Sequence, residues 1–189
     1  METDRERWDT RYATRTRAAE IKPDALLVEH CELLTGRGRA LDVAAGRGQN
    51  ALFLASLGYE SYALDVSLVG LRIGTAAARQ RGLPFFAIVA DLDRYPLPSE
   101  WFAVIVVVRY LNRNLLPALK DALMPGGMFF YETFNANYSS QKPDFNPAYL
   151  LEPGELARIF SDFRTILTND SDTITDATTY WIGQKPPHG

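Results

Sequence analysis

Acidic residues end three of the first four predicted strands, and a glycine-containing turn follows the first of them. Asp42, Asp65 and Asp91 hold these strand-end positions, and the turn reads GRGQN from Gly46 to Asn50. In an open α/β sheet, ligands bind beyond the carboxyl ends of the strands. The spacing therefore predicts a ligand site built from these carboxylates and the turn.

The turn by itself fits two kinds of ligand. Gly46 to Ala51 read G-x-G-x-x-A, the pattern with which dinucleotide-binding proteins hold a pyrophosphate on backbone amides and a helix N-terminus. Asp42 lies just before the turn, where a negative charge would repel a pyrophosphate but attract the ammonium and sulfonium groups of S-adenosylmethionine (SAM). The rest of the chain shows no second nucleotide-binding half. These features favour SAM, with a dinucleotide as the alternative.

The other two strand-end acids have separate expected roles. Asp65 lies about twenty residues beyond the turn, the spacing at which an acid meets ribose hydroxyls in either class of site. Asp91 is expected to accept the exocyclic amine of adenine, with Val66 and Leu92 as apolar walls. A simple turn role is the alternative for Asp91.

Composition limits the other possibilities. A chain of 189 residues that is 47% hydrophobic and 23% charged is typical of a single globular domain, here residues 1–189. With two histidines and one cysteine, we expect neither a metal site nor a Ser-His-Asp arrangement. A net charge of -3 argues against a nucleic-acid partner. The longest apolar run, Phe102 to Val108, is too short to span a membrane, so we expect a cytoplasmic protein.

The elements that must position these residues are predicted as cycles of strand and helix. Strands are predicted at 40–43, 59–64, 85–89, 102–108 and 128–134, and helices at 23–34, 50–57, 67–81, 115–123 and 153–160. Ser67 and Asn114 are expected to cap two of the helices. The cycles predict a doubly wound α/β sheet. The last strands, 163–168 and 178–184, are too close for a crossover helix and should form an antiparallel hairpin.

Two segments lie outside these cycles. Residues 1–35 are expected to form an N-terminal helical cap, in which Trp8 and Tyr12 share one helical face. That face has three possible roles: an anchor on the body of the protein, a cover over the cofactor, or part of a nucleic-acid arm. Residues 135–152 are polar and rich in turn residues, so we expect a lid loop without secondary structure.

Polar residues follow the most buried predicted strand. Arg109, Asn112 and Arg113 can bind an anionic acceptor, and the alternative for the arginines is a salt bridge to an acid in the lid. A soft anionic acceptor, such as a thiolate, selenite or tellurite species, needs no general base. Other acceptors can require one, and Tyr110, Glu132 and Glu152 are the candidates. The candidate catalytic residues are Arg109 and Tyr110, and the candidate substrate-binding residues are Arg109, Asn112, Arg113, Glu132 and Tyr138.

Taken together, these motifs resemble the class I SAM-dependent methyltransferases. They are LDVAAGRGQNALFLA, YALDVS, ADLDRYPLP and MPGGMFFYETF, followed by the terminal hairpin. The resemblance implies a Rossmann-like sheet of seven mostly parallel strands in the order 3-2-1-4-5-7-6, with helices on both faces and SAM as the cofactor. More narrowly, RERWDTRY, RYLNRNLLPAL and NPAYLLEPGELARIF resemble the tellurite-resistance and thiopurine methyltransferase-like group.

The resemblance also implies roles for individual residues. It assigns the methionine end to Asp42, Ala44, Gly46 and Gly48, the ribose to Asp65 and Val66, the adenine to Asp91 and Leu92, and the methyl end to Val108 and Arg109. Asn50, Ser67, Trp8 and Tyr12 complete the candidate cofactor-binding residues. Ala44 stands where the family has its first turn glycine, so we expect its backbone to avoid positive φ.

The predicted function is methyl transfer from SAM to a small-molecule acceptor. Such a transfer is an in-line displacement in which the cofactor supplies the electrophile and the protein supplies alignment. We expect a monomer or weak dimer. The alternatives are a nucleic-acid or protein methyltransferase and a non-catalytic module that binds SAM or a dinucleotide.

Overall fold

The computed structural model describes residues 2–14, 21–171 and 175–188, and its strands form one seven-stranded sheet. The strands are β1 Arg39–Val43, β2 Glu60–Asp65, β3 Phe85–Val89, β4 Phe102–Val108, β5 Leu123–Phe134, β6 Arg164–Thr168 and β7 Thr178–Gln184. Their order is β3-β2-β1-β4-β5-β7-β6. The pairs β1–β2, β2–β3 and β4–β5 are parallel, whereas β5–β7 and β6–β7 are antiparallel. The predicted fold class, strand order and terminal hairpin are confirmed.

The helices depart from the prediction in three places. Within the described residues they are α1 Glu2–Thr14, α2 Ala25–Glu29, α3 Gln49–Ser56, α4 Leu68–Arg81, α5 Leu116–Ala122 and α6 Glu155–Ile159. The helix expected at 23–34 ends at Glu29, because the C-cap residue His30 leaves the helical conformation with ψ 29°. A 3₁₀ turn, Cys31–Leu33, follows. The helix expected at 153–160 is shorter, Glu155–Ile159, with Gly154 as its N-cap. Leu115, not Asn114, is the N-cap of α5. None of the described helices is long and apolar enough to cross a membrane.

Asn114 is not the N-cap of α5, and its backbone amide is bonded to the side chain of a neighbouring residue. The amide nitrogen of Asn114 donates to Oδ1 of Asn112 at 3.1 Å, which forms a local turn before α5 begins. Pro117 lies in the first turn of α5, where its missing N–H leaves no helical hydrogen bond unmade. The helix therefore begins without a side-chain cap.

By chain contacts, the protein divides into two compact units, Met1–Pro98 and Ser99–Gly189. In the first unit, α3 and α4 pack on the strands around a core of mostly small side chains. That core consists of Ala45, Ala51, Ala63 and Leu71, with Phe85 packed against it. Small side chains let the turn between β1 and α3 lie close to α4. This closeness is what positions the predicted ligand site.

An aromatic core holds the second unit. Phe160, which follows α6, stacks on Trp181 of β7 with ring centroids 4.2 Å apart. Phe129 of β5 contacts Phe160 with centroids 4.9 Å apart. Nζ of Lys120 in α5 donates to the carbonyl oxygen of Ile159 at 3.0 Å. These contacts fix the end of α6 against β5 and β7.

The segment expected to be a lid without secondary structure contains two short 3₁₀ helices. They are Ala136–Ser140 and Pro147–Tyr149. Asn135 is 5% exposed, and its amide donates to the carbonyl oxygen of Asp176 and to the hydroxyl of Thr179, both at 3.0 Å. The expected lack of structure is therefore wrong, because local turns and this buried amide order the chain. Closure of the segment over a ligand stays a prediction.

Ala44 takes the backbone conformation that we expected it to avoid. Its φ is 53°, in the left-handed region. The amide of Ala45 donates to the carbonyl oxygen of Leu64 at 3.1 Å, and the amide of Gly48 donates to that of Ala45 at 2.8 Å. The chain therefore turns sharply after β1 while still bonded to β2. A left-handed residue other than glycine costs about 1 kcal/mol, and such residues cluster at functional sites.

Ala44→Gly should leave the free energy of unfolding unchanged or raise it by up to about 1 kcal/mol, because relief of the strain offsets the added freedom of the unfolded chain. Ala45→Gly is the matched control. Ala45 is buried and is not among the positive-φ residues, so glycine there should lower the free energy of unfolding by about 1 kcal/mol. Urea unfolding measures both, and equal losses would contradict the strain at Ala44.

Candidate active site

Asp65, the last residue of β2, joins the glycine turn to α4. Its Oδ2 accepts a hydrogen bond from the amide of Gly46, and its Oδ1 accepts one from the amide of Ser67, both at 2.7 Å. Burial raises the pKa of Asp65, and these two amides oppose that rise. Each carboxylate oxygen has a second acceptor position. The amide of Val66 also hydrogen-bonds this carboxylate, so the group holds the backbone around it, and its contact with the ribose hydroxyls stays a prediction.

Two glycines of α4 let this helix lie against the turn. Gly70 and Gly74 are four residues apart and share a helical face. A Cβ atom at Gly70 would lie 2.5 Å from the carbonyl oxygen of Gly46, and one at Gly74 would lie 2.7 Å from that of Arg47. The sequence analysis missed this pair. Two glycines at helical spacing just after a predicted N-cap were the signal that could have found it.

Helix α1 lies on the same turn. Cδ2 of Tyr12 would lie 2.9 Å from a Cβ atom at Gly70, and a Cβ atom at Gly46 would overlap the Tyr12 hydroxyl. Trp8 stacks on Tyr12 with ring centroids 5.7 Å apart. The structure thus brings the aromatic face of α1 to the turn. These contacts anchor α1 on the body of the first unit, and a cover over the cofactor stays a prediction.

Asp42, at the end region of β1, is buried instead of facing a ligand. It is 1% exposed, and its Oδ2 accepts the amide of Ala51 at 3.1 Å. Burial raises the pKa of Asp42 to about 7, and the charge of Asp65 adds to this rise. Hydrogen bonds from Ala51 and Asn50 lower the pKa but do not cancel the effect of burial. Asp42 is therefore partly protonated at neutral pH. Its charge discriminates against a pyrophosphate less strongly than the sequence argument assumed.

Asn50 connects Asp42 to α2. Its side chain hydrogen-bonds Asp42, and its Oδ1 accepts the amide of Asp24 at 2.9 Å. Asp24 in turn caps α2 by accepting the amide of Leu26 at 3.1 Å. Asn50 is 2% exposed, so these contacts use the side chain within the protein. A contact between Asn50 and the cofactor stays a prediction.

Asp91, two residues beyond β3, carries a buried carboxylate oxygen that makes no hydrogen bond within the described residues. Its Oδ1 accepts the amide of Asp93 at 3.1 Å. Its Oδ2 is buried without a hydrogen-bond partner among the described residues, with Nε of Arg94 3.6 Å away. A buried acceptor without a partner is costly, and the exocyclic amine of adenine supplies a matching donor. Leu92 beside it is 8% exposed, as an apolar wall requires. The residues present fit SAM.

In the second unit, the chain leaves β4 through a strained residue. Arg109 follows Val108 with φ 56°, and its amide donates to the carbonyl oxygen of Glu132 at 2.7 Å. Nδ2 of Asn112 donates to the hydroxyl oxygen of Tyr110 at 3.3 Å. These candidate residues therefore meet at the carboxyl ends of β4 and β5.

Tyr131 fixes the same stretch of backbone. Its hydroxyl donates to the carbonyl oxygen of Tyr110 at 2.9 Å. Burial raises the pKa of Tyr131, so the phenol keeps its proton and acts as a donor. The sequence analysis did not assign a role to this residue. Its position inside a buried strand gave no sign of the long-range hydrogen bond.

Arg113 is engaged by an acid of α6. Its Nε and Nη2 lie 2.6 and 2.9 Å from the two carboxylate oxygens of Glu155. It also donates to the carbonyl oxygens of Ala148 and Leu150. The hydrogen bonds with Glu155 raise the pKa of Arg113. This is the kind of ion pair considered as the alternative to anion binding, although the acid lies in α6 rather than in residues 135–152.

Tyr138 belongs to an aromatic cluster that follows β5. It stacks on Phe134 with ring centroids 4.0 Å apart and meets Phe145 edge-on at 5.1 Å. An open cleft of about 760 Å³ is lined by the same segment, including Ala136 and Leu150. The structure thus places Tyr138 on the ordered segment, and its contact with a substrate stays a prediction.

Comparison with known proteins finds a family match for the central part of the chain. Residues 40–127 match a protein family described as a methyltransferase domain. A search of curated protein sequences finds no significant match. The matched segment contains the glycine turn and the three strand-end acids.

Solved structures share the fold over most of the chain. A protein studied for the conversion of a disulfide bond into a thioacetal group during echinomycin biosynthesis is 19% identical, with a TM-score of 0.74 over 98% of this chain and 94% of that one. TehB from Haemophilus influenzae is 15% identical, with a TM-score of 0.71 over 96% and 66%. A SAM-dependent methyltransferase from Methanosarcina mazei is 18% identical, with a TM-score of 0.69 over 87% and 100%. At these identities the structures show the fold alone.

The sheet order defines the fold class. The architecture is that of the class I methyltransferases, and S-adenosylmethionine is the cofactor. Within that class, the match over residues 40–127 supports a methyltransferase domain. It covers the turn, the ends of β1 to β3 and the end of β4.

Asp42→Asn should change how stability depends on pH. A carboxyl whose pKa is raised on folding stabilises the native state below its unfolded pKa, about 4, and this contribution is lost as pH rises through the folded pKa, about 7. Across that window, the free energy of unfolding of the native protein should fall relative to the variant by about 1.4 kcal/mol per pH unit. Urea unfolding as a function of pH measures this difference.

Glu155→Gln is the control, because the effect of Glu155 on the free energy of unfolding should change with pH in the opposite direction. Burial alone would raise the pKa of Glu155, but hydrogen bonds from Arg113 and from the amide of Glu152 outweigh it, so the pKa is lowered. The contribution of Glu155 is therefore present above its unfolded pKa and lost as pH falls. A pH-independent difference between the native protein and Asp42→Asn would contradict the buried state of Asp42.

Asp91→Asn should weaken SAM binding about tenfold and change the free energy of unfolding by less than about 1 kcal/mol. The asparagine oxygen can still accept the amide of Asp93, but its NH₂ group replaces the unsatisfied oxygen and opposes the amine of adenine. Calorimetric titration with SAM and urea unfolding measure the two effects. The exposed neighbour variant Asp93→Asn is the control, and unchanged SAM affinity in Asp91→Asn would place the adenine elsewhere.

Proposed function

We propose that the protein transfers the methyl group of SAM to a small-molecule acceptor. The observation that carries the proposal is the group of strand-end carboxylates around the glycine turn, inside the segment that matches a methyltransferase domain. Among them, Asp91 has a buried oxygen that makes no hydrogen bond within the described residues, with Nε of Arg94 3.6 Å away, and Asp65 is held by the amides of Gly46 and Ser67. This arrangement suits the ribose and the adenine of an adenosine cofactor.

The protein contributes alignment. When bound, SAM supplies an electrophilic methyl group to the acceptor in an in-line displacement. Asp65 orients the ribose and Asp91 the adenine, while the glycines of the turn let the backbone approach the methionine end. Tyr12 and Trp8 of α1 cover the turn and exclude water. Alignment of this kind accounts for most of the rate in such reactions, so no covalent step on the protein is required.

The acceptor is assigned to the ends of β4 and β5. There Arg109 offers a guanidinium to an anionic group, with Tyr110, Asn112 and Glu132 around it. The strained backbone of Arg109 is typical of a functional position. A soft anionic nucleophile, such as a thiolate, needs no general base at this site. A structure of similar fold that concerns sulfur chemistry, the conversion of a disulfide bond into a thioacetal group, supports this class of acceptor.

The proposal extends to the setting in which the protein works. We place it in the cytoplasm, as a monomer or weak dimer with neither nucleic acid nor membrane as partner. The net charge of -3 and the lack of a membrane-spanning helix among the described residues support this setting. In the same proposal, the narrower kinship is with the tellurite-resistance and thiopurine methyltransferase-like group.

Two measurements test the function. In calorimetric titrations the protein should bind SAM and not NAD, and NAD binding without SAM binding would overturn the proposal. An assay of S-adenosylhomocysteine release with thiols, selenite, tellurite and small carboxylates should then identify the acceptor. Arg109→Ala should lower the rate with an anionic acceptor about tenfold at unchanged SAM affinity, whereas Arg109→Lys keeps the charge and should lose less.

A further inference from the structure

A carboxylate of α1 reaches the first turn of α4. Oδ1 of Asp9 accepts hydrogen bonds from the hydroxyl of Ser67 and, at 3.1 Å, from the amide of Val69. Ser67 is the N-cap of α4, and its own hydroxyl oxygen accepts the amide of Gly70 at 3.1 Å. The first amides of a helix have no partners within the helix. Here the cap residue satisfies one of them and Asp9, from another helix, satisfies a second.

Ser67 connects Asp9 to the acid that meets the ribose. The Ser67 amide donates to Oδ1 of Asp65 at 2.7 Å, and its hydroxyl donates to Asp9. Ser67 has no exposed surface, so both ends of the residue are held. Any movement of its hydroxyl away from Asp9 would shift the amide that holds the Asp65 carboxylate.

The negative charge of Asp9 also favours its position at the N-terminus of α4. A negative group at a helix N-terminus is stabilised by the helix dipole, and Asp9 occupies that place at α4. Burial raises the pKa of Asp65, and the nearby charge of Asp9 adds to that rise. Nε of Arg5 lies 3.9 Å from Oδ2 of Asp9 and leaves Oδ1 to α4.

We propose that Asp9 is a positioning residue for SAM binding. Through Ser67 it fixes the first turn of α4, and with it the direction in which Asp65 presents its carboxylate to the ribose. Tyr12 also fixes α1 through its contacts at Gly46 and Gly70, so the docking of α1 does not depend on Asp9 alone. The inference rests on the proposed use of Asp65 as the ribose acid.

Calorimetric titration of Asp9→Ala with SAM tests the proposal. Loss of the cap should raise the Kd for SAM about tenfold. Asp9→Asn keeps an oxygen that can accept both hydrogen bonds, so it should recover most of the affinity. Glu6→Ala removes an exposed acid of the same helix and should leave the Kd unchanged.

A double-mutant cycle separates positioning from a general loss of structure. Asp9→Ala combined with Ser67→Ala should bind SAM about as weakly as the weaker single variant, because both break one connection. Asp9→Ala combined with Asp91→Asn, at the adenine end, should instead multiply the two losses. Independent effects of Asp9 and Ser67 would overturn the proposal.

The remaining outcomes are also decisive. If Asp9→Ala binds SAM like the native protein, Asp9 does not position the site. If Asp9→Ala fails to fold, Asp9 has a structural role and the proposal is overturned. If the native protein itself does not bind SAM, the proposed function fails before this inference is reached.

Discussion

Two backbone amides, from Gly46 and Ser67, converge on the buried carboxylate of Asp65. They belong to the turn after β1 and to the start of α4, which are separate in the chain, so this carboxylate sets their relative position. Gly70 and Gly74 allow the approach, because any side chain there would meet the backbone of the turn. The carboxylate that organises the first unit is also the one proposed to bind the ribose, so under that proposal folding and cofactor binding depend on the same few contacts.

The acids around the turn share a position at strand ends but differ in environment. Asp42 is buried under α3 and largely serves the fold, with its pKa raised to about 7. Oδ2 of Asp91 is buried, lies 3.6 Å from Nε of Arg94 and makes no hydrogen bond within the described residues. The preference for SAM over a dinucleotide therefore comes from the whole arrangement more than from the charge of Asp42. Their surroundings, rather than their positions in the sequence, separate the carboxylate that holds the protein together from the one proposed to meet the ligand.

Arg109 and Arg113 show how little local sequence says about the role of a polar residue. They lie four positions apart after the same strand, and the sequence offered both for acceptor binding. Glu155, 42 residues further along the chain, takes the guanidinium of Arg113. Arg109 instead lies at the strained exit of β4. The ion pair with Glu155 of α6 gives Arg113 a structural role that Arg109 does not share. No sequence pattern around residue 109 or 113 predicts this ion pair.

The sequence by itself determined the elements whose signals are local. The bounds of β3, β4 and β7, the Ser67 cap of α4 and the terminal hairpin follow from apolar runs, turn residues and short spacing, and the structure agrees with them. The strand order came from the resemblance of whole motifs to a family. Only the tertiary structure decided the φ of Ala44, the ion pair of Arg113 and the reach of Asp9 to α4, because each depends on groups that are distant in the chain and meet only when it folds.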